Sequence, residues 1–176
     1  NITIASNTTL DPSANNYGIE LDGNWINNGT FTIRSGTVSF SGSDTQTMSG
    51  TCSFYNLTVN NSHSSNKVTP SSSVTVSNLL NISDGILAAP ASDFDDVTIG
   101  ANGNLEISGN ITVSGDWNDG GSFTPSTNTV TFDGSSAQSI TSGGSVFYSV
   151  TISNTSSPVS IADKFEFRSG TLTINS

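Results

Sequence analysis

The chain has 176 residues, 32% of them hydrophobic and only 10% charged, and its 14 acids against 4 bases give a formal net charge of −10. That balance repels nucleic acid and anionic lipid, and no stretch is long and apolar enough to insert into a membrane. One cysteine, Cys52, excludes an intramolecular disulfide; with one histidine, His63, in the polar loop from Ser62 to Asn66, there is no zinc set and little for nucleophilic catalysis. A chain that opens at Asn1 without a signal peptide reads as a processed secreted protein or a piece of a longer one.

Taken in order, nearly every apolar residue belongs to an i, i+2 pair, the period of a strand. The pairs are Ile2/Ile4, Ile19/Leu21, Phe31/Ile33, Val38/Phe40, Leu57/Val59, Val74/Val76, Leu80/Ile82, Val97/Ile99, Leu105/Ile107, Ile111/Val113, Val130/Phe132, Val150/Ile152, Val159/Ile161, Phe165/Phe167 and Leu172/Ile174. Turn residues separate them, as in Asn27-Asn28-Gly29, Asp84-Gly85 and Gly143-Gly144. No window has a helical period, so the spacing predicts an all-β chain. Two inward side chains followed by a turn suit one rung of a β-solenoid, similar to a parallel β-helix. The alternative is two tandem immunoglobulin-like β-sandwiches, but those have fewer and longer strands.

The block from Gly23 to Asn61 recurs. Gly23-Asn24-Trp25, Gly29-Thr30-Phe31, Thr37-Val38-Ser39-Phe40-Ser41-Gly42, Gln46-Thr47-Met48 and Phe54-Tyr55-Asn56-Leu57-Thr58-Val59 return as Gly115-Asp116-Trp117, Gly121-Ser122-Phe123, Thr129-Val130-Thr131-Phe132-Asp133-Gly134, Gln138-Ser139-Ile140 and Phe147-Tyr148-Ser149-Val150-Thr151-Ile152. Trp25 to Trp117, Phe40 to Phe132 and Gln46 to Gln138 are each 92 positions apart. We read one elongated domain of two repeats, about 1–95 and 96–176. Trp25, Phe40, Trp117 and Phe132 are its expected core, with the tryptophans at equivalent turns. Gly36 and Asn128 exchange between copies, which predicts positive φ at both. Charges are not repeated: Arg34 corresponds to Ser126 and Glu20 to Thr112. Further along, Ile82, Gly85 and Leu87 match Phe167, Gly170 and Leu172, as if the second copy had lost several residues.

These motifs resemble the repeat region of large bacterial surface and secreted adhesin-like proteins. The resemblance covers most of the chain and implies a β-solenoid passenger at the cell surface; it says little about a ligand. The expected role is therefore an extracellular structural one, as a subunit or repeat unit of a surface filament, fibre or adhesin stalk. It would assemble head to tail with copies of itself through Ile2, Ile4, Phe165, Phe167, Leu172 and Ile174. The alternatives are a carbohydrate-binding module with extracellular glycans as partners, marked by a row of exposed aromatics, and a β-helical polysaccharide-acting enzyme, marked by carboxylates in a cleft.

Candidate chemistry is sparse, and no catalytic residue is assigned. Asp93, Asp95 and Asp96 form the one carboxylate cluster and a weak Ca²⁺ candidate, since calcium takes about six to eight oxygens; no other cofactor is expected. Glycosylation sequons fall at Asn7, Asn28, Asn56, Asn60, Asn81, Asn110 and Asn154.

Overall fold

Two inward side chains per strand cannot bury a sheet face alone, so such strands gain a core only by stacking. The computed structural model, which describes residues 1–62 and 67–175, shows this stacking. It is all-β, 57% strand, with parallel coils forming a β-solenoid of about 8 turns. Every strand pairing among the described residues is parallel, whereas immunoglobulin-like sandwiches are antiparallel and do not form here.

Each coil has three faces, which we call X, Y and Z in winding order. The strand Ser92–Ile107 wraps a whole coil, and it pairs in turn with Ile111–Val113, Trp117–Asp119 and Ser122–Thr124 of the next. On face Y, Phe54, Val76, Phe94, Val113, Phe132, Ile152 and Ile174 stack in register. On face Z the column is Ile19, Val38, Leu57, Leu80, Val97, Trp117, Ile140 and Ile161. Face X begins with Ile2, Trp25 and Met48 and continues through Val68, Leu87, Leu105 and Phe123.

Trp25 lies on face X and Trp117 on face Z. From one to the other the chain passes fourteen faces, four coils and two thirds at three faces per coil. The second repeat is therefore turned by one face: X becomes Z, Y becomes X, Z becomes Y. Phe31 on face Y corresponds to Phe123 on face X, and Phe40 on face Z to Phe132 on face Y. What lies inside coincides in spite of the turn, because all three faces feed one interior.

Phe40 and Phe132 are both 0% exposed, and both tryptophans are fully buried within strands rather than at turns. An aromatic triad recurs with them. Trp25 meets Phe31 and Phe54 at centroid distances of 5.0 and 5.4 Å, and Trp117 meets Phe123 and Phe147 at 4.9 and 5.4 Å. Such edge and tilted contacts each contribute about 0.5–1.5 kcal/mol beyond area burial. Cys52 is buried on the strand that carries Phe54, as its apolar neighbours suggest, and burial raises its thiol pKa despite the opposing Ser72 hydroxyl. Ile33, paired with Phe31 in the sequence pattern, is instead 45% exposed because its strand ends at Phe31.

Two sequence expectations are corrected. Neither Gly36 nor Asn128 has positive φ; the left-handed residues nearby are Asn16 and Ser126, at φ 58 and 53. Gly36 is held by crowding, since a Cβ there would lie 2.7 Å from the Tyr17 carbonyl oxygen, while the Asn128 amide donates to the carbonyls of Ile107 and Pro125. The second correction concerns the end of the repeat. Counting faces pairs Val74 and Val76 with Phe165 and Phe167, and Leu80 and Ile82 with Leu172 and Ile174. The match of Ile82 and Leu87 to Phe167 and Leu172 is one face out, and no face has been lost.

Candidate functional site

The polar residues that repeat are the buried ones. Gln46 is fully enclosed: its Nε2 donates to the carbonyls of Leu21 and Gly23 at 3.0 and 2.8 Å, and its Oε1 accepts from the Gly42 N–H and the Asn61 amide at 3.3 and 3.2 Å. Gln138 repeats all four bonds, to Val113, Gly115, Gly134 and Asn154, at 2.9, 2.7, 3.0 and 3.1 Å. Both glutamines use both donors and both lone pairs, the condition for burying an amide without penalty. The sequence shows the glutamines as a motif; their partners Asn61 and Asn154 each lie two residues beyond the matched blocks Phe54–Val59 and Phe147–Ile152, but in a chain so rich in asparagine nothing local marks them as buried.

A second device joins coils at one corner. The Asn1 side-chain oxygen accepts the Asn24 N–H at 2.7 Å, and the Asn24 oxygen accepts the Thr47 N–H at 2.8 Å. In the second repeat Asp96 accepts from Asp116 N–H and Asp116 from Ser139 N–H, both at 2.7 Å. Only an oxygen is needed, so Asn and Asp interchange here.

This ladder accounts for much of the acidic cluster. Asp93 accepts from the Thr112 hydroxyl, Asp95 from the Ser114 hydroxyl, and Asp96 serves the ladder. Among the described residues no three His, Cys, Asp or Glu side chains come together as a metal-holding group, so the calcium expectation finds no ligand set. Asp95, Asp96 and Asp116 do line an open groove of about 300 Å³ with Ser114, Ser135 and Ser136. Nearby, burial and then the Asp93 charge push the Asp133 carboxyl upward. A second groove, of about 390 Å³, places Tyr148 and Arg168 beside Phe123, Pro125 and Ser126. The exposed aromatics among the described residues include Tyr17 and Phe167, on coils far apart, and they form no row.

The sequons divide by exposure. Asn7, Asn28, Asn60 and Asn110 are exposed, and Asn56 and Asn81 are half-buried. Asn154 is 8% exposed and its amide nitrogen is committed to the Ser136 carbonyl and Gln138, so that sequon is structural. His63 lies outside the described residues.

The residues expected to assemble lie at the two open ends of the stack. Strands Ile2–Ile4, Thr9–Leu10 and Ile19–Leu21 each pair on one side only, as do Val159–Ile161, Glu166–Phe167 and Leu172–Ile174. Ile4 is buried and Ile2 and Phe165 are partly buried, while Phe167, Leu172 and Ile174 are exposed by 39, 43 and 71%. Comparison with family models, with curated proteins and with solved structures finds no match to this chain.

Proposed function

We propose that the chain is a structural spacer, a rod-forming unit of an extracellular surface filament, fibre or adhesin stalk that extends end to end through its terminal strands. The observation that supports this best is the distribution of what repeats. Interior volume, the buried Gln–Asn network and the corner ladder recur with matching geometry on differently oriented faces. Most outward charges do not recur: Glu20 and Arg34 give way to Thr112 and Ser126, and Asp11 with Glu106 is an exception. Duplicating a binding site or an active site would preserve an outward constellation; duplicating a scaffold preserves the means of stacking.

The acidic groove at Asp95, Asp96 and Asp116 favours a second reading, a polysaccharide-acting enzyme. One experiment separates them. Purified protein is imaged by electron microscopy and incubated with a panel of acidic and neutral polysaccharides. Rigid rods and no new reducing or unsaturated ends support the spacer. Turnover that disappears in Asp95→Asn or Asp116→Asn would overturn it.

A further inference from the structure

The corner of the coil that follows Phe31 in the first repeat is closed, and the one that follows Phe123 in the second is open. We infer that the open corner, the groove at Tyr148 and Arg168, binds a carboxylate-bearing sugar, a uronic acid unit of an acidic polysaccharide. The inference goes beyond the spacer reading and does not depend on it.

The closed corner shows what fills such a place. Leu10 pairs with Phe31 and Leu105 with Phe123, so Asp11 corresponds to Glu106. The segment that follows has eight residues in the first repeat, 11–18, and five in the second, 106–110. In the longer segment Asp11 takes the Arg34 side chain on both carboxylate oxygens, from Nε at 3.0 Å and Nη2 at 2.8 Å. Pro12 and Tyr17 of the same segment share with Tyr55 a pocket of only about 10 Å³. The chain itself thus brings to this corner a carboxylate for an arginine and a ring beside a tyrosine.

The open corner has the receiving groups without that filling. Tyr148 stands where Tyr55 does, Glu106 is paired with Lys67, and no residue of 106–110 lines the groove of about 390 Å³. Its size is at the lower end of ligand clefts, which run to about 300–1,000 Å³. The groove exists because two coils part: Ser122–Thr124 pairs only with the coil below and Val146–Phe147 only with the coil above. Both parted coils lie inside the stack, with Leu105 under one and Phe167 over the other. Arg168 enters from the upper coil, its N–H held by the Phe147 carbonyl at 2.8 Å. The opposite rim is fixed by a turn in which Asn128 N–H donates to the Pro125 carbonyl at 3.0 Å and Ser126 is left-handed at φ 53.

Charge and chemistry select the occupant. Arg34, Lys67 and Lys164 each hold a carboxylate of the chain, whereas Arg168 has no ion pair among the described residues. None of the 14 acids lines this groove, so a guanidinium stands there with no counter-charge in a chain of net charge −10. Such a group takes a carboxylate through two parallel hydrogen bonds, as Arg34 does with Asp11. Tyr148 and Pro125 offer apolar ring faces to the C–H face of a sugar, and the Thr124 and Ser126 hydroxyls lie in reach of its hydroxyl groups. A peptide carboxylate would engage Arg168 alone and leave that platform unused.

The test is calorimetric titration of the chain with tetragalacturonate and tetramannuronate, set against methyl-esterified tetragalacturonate and an aspartate-rich peptide. At least one uronate should bind, more weakly as salt rises, and the ester and the peptide should not. Arg168→Gln and Tyr148→Ala should each weaken that binding about tenfold or more. Arg168→Lys, which keeps the charge but not the paired donors, should restore it only in part, and Lys164→Gln should leave it unchanged. Circular-dichroism melts identify variants that keep the fold; Arg168 is exposed, so Arg168→Gln decides the matter if Tyr148→Ala does not fold. No binding of either uronate, binding that Arg168→Gln leaves intact, equal binding of the ester, or tighter binding of the peptide would overturn the site. Those results would leave the spacer reading standing, whereas polysaccharide turnover would overturn that reading whatever the groove binds.

Discussion

Asn27 and Asp119 occupy the same point of the two repeats, yet only in Asn27 does each polar side-chain atom have a hydrogen-bond partner. Asn27 accepts the Gly29 N–H, and its amide donates to the Thr51 carbonyl at 3.1 Å, an oxygen it shares with the Trp25 indole at 3.5 Å. Asp119 accepts the Gly121 N–H in the same way, but its Oδ2 and the Trp117 indole nitrogen have no partner among the described residues. Both orphans trace to one turn. Where Gly50 alone is left-handed in the first repeat, Gly143 and Gly144 both are in the second, at φ 60 and 86, and no carbonyl takes the place of that of Thr51.

The first prediction follows from that pair. Asp119 is 1% exposed, and burial raises its carboxyl pKa, opposed by the Ser145 hydroxyl and Gly121 N–H and reinforced by the Asp163 charge. An acid whose folded pKa is raised binds its proton more tightly when folded. Its contribution is then fully present below the unfolded value, near 3.8, and is lost as pH rises through the folded value. Asp119→Asn should stabilise the protein at neutral pH and flatten this part of the pH profile in urea titrations. An unchanged or lower midpoint at pH 7 would count against it.

The buried glutamines give a second prediction. Replacing Gln46 or Gln138 with Met keeps the volume but strands the Gly23 or Gly115 carbonyl, the Gly42 or Gly134 N–H and one N–H of an asparagine amide, while the Leu21 and Val113 carbonyls keep the N–H groups of Ser41 and Asp133. Unsatisfied buried groups cost ~1–3 kcal/mol each, partly relieved by relaxation, so each variant should lose roughly 3–5 kcal/mol. Losses under about 1 kcal/mol in denaturant unfolding would show the network to be incidental.

Phe40→Ala and Phe132→Ala should each cost about 3–5 kcal/mol, since both rings are fully buried. Equal costs, within about 1 kcal/mol, are the sharper expectation, because the two phenylalanines fill the same place on different faces. Thermal unfolding followed by calorimetry reads both.

Two left-handed glycines should respond very differently to alanine. At Gly50, φ 77, a Cβ would lie 1.9 Å from the Asn27 carbonyl oxygen, so Gly50→Ala must move backbone as well as strain it. At Gly144, φ 86, nothing lies within 4 Å, and only the conformational penalty of roughly 1–2 kcal/mol applies. Gly50→Ala should be the more damaging by at least about 1 kcal/mol in chemical denaturation.

The parts of this fold legible in the sequence were those with a period. Alternation at pairs such as Val38/Phe40 and Val130/Phe132 marks strands, and their spacing marks short rungs, because only inward side chains are constrained to be apolar. The turn of one face between repeats left no such mark. A residue on face X and one on face Z meet the same interior, so Trp25 and Trp117 look alike in sequence though they stand on different columns. The positive-φ reading of Gly36 failed for a related reason: glycine there answers to the Tyr17 carbonyl one coil away, a contact invisible to local turn rules. Asp93, Asp95 and Asp96 looked like a cation cluster because sequence does not show that the neighbouring coil brings Thr112, Ser114 and Asp116 to meet them.

The turn between repeats is the centre of this account, and short-range thiol cross-linking tests it most directly. At the junction Asn81 on face Z pairs with Thr98 of the next coil, whereas Ala88 on face X pairs with Glu106. In a Cys52→Ser background, the double variant Asn81→Cys/Thr98→Cys should cross-link within one molecule through a short bifunctional thiol reagent. The pair Ala88→Cys/Thr98→Cys should not. Efficient cross-linking of the Ala88 pair with none of the Asn81 pair would place Val97 above face X, and the second repeat would then follow the first without the turn.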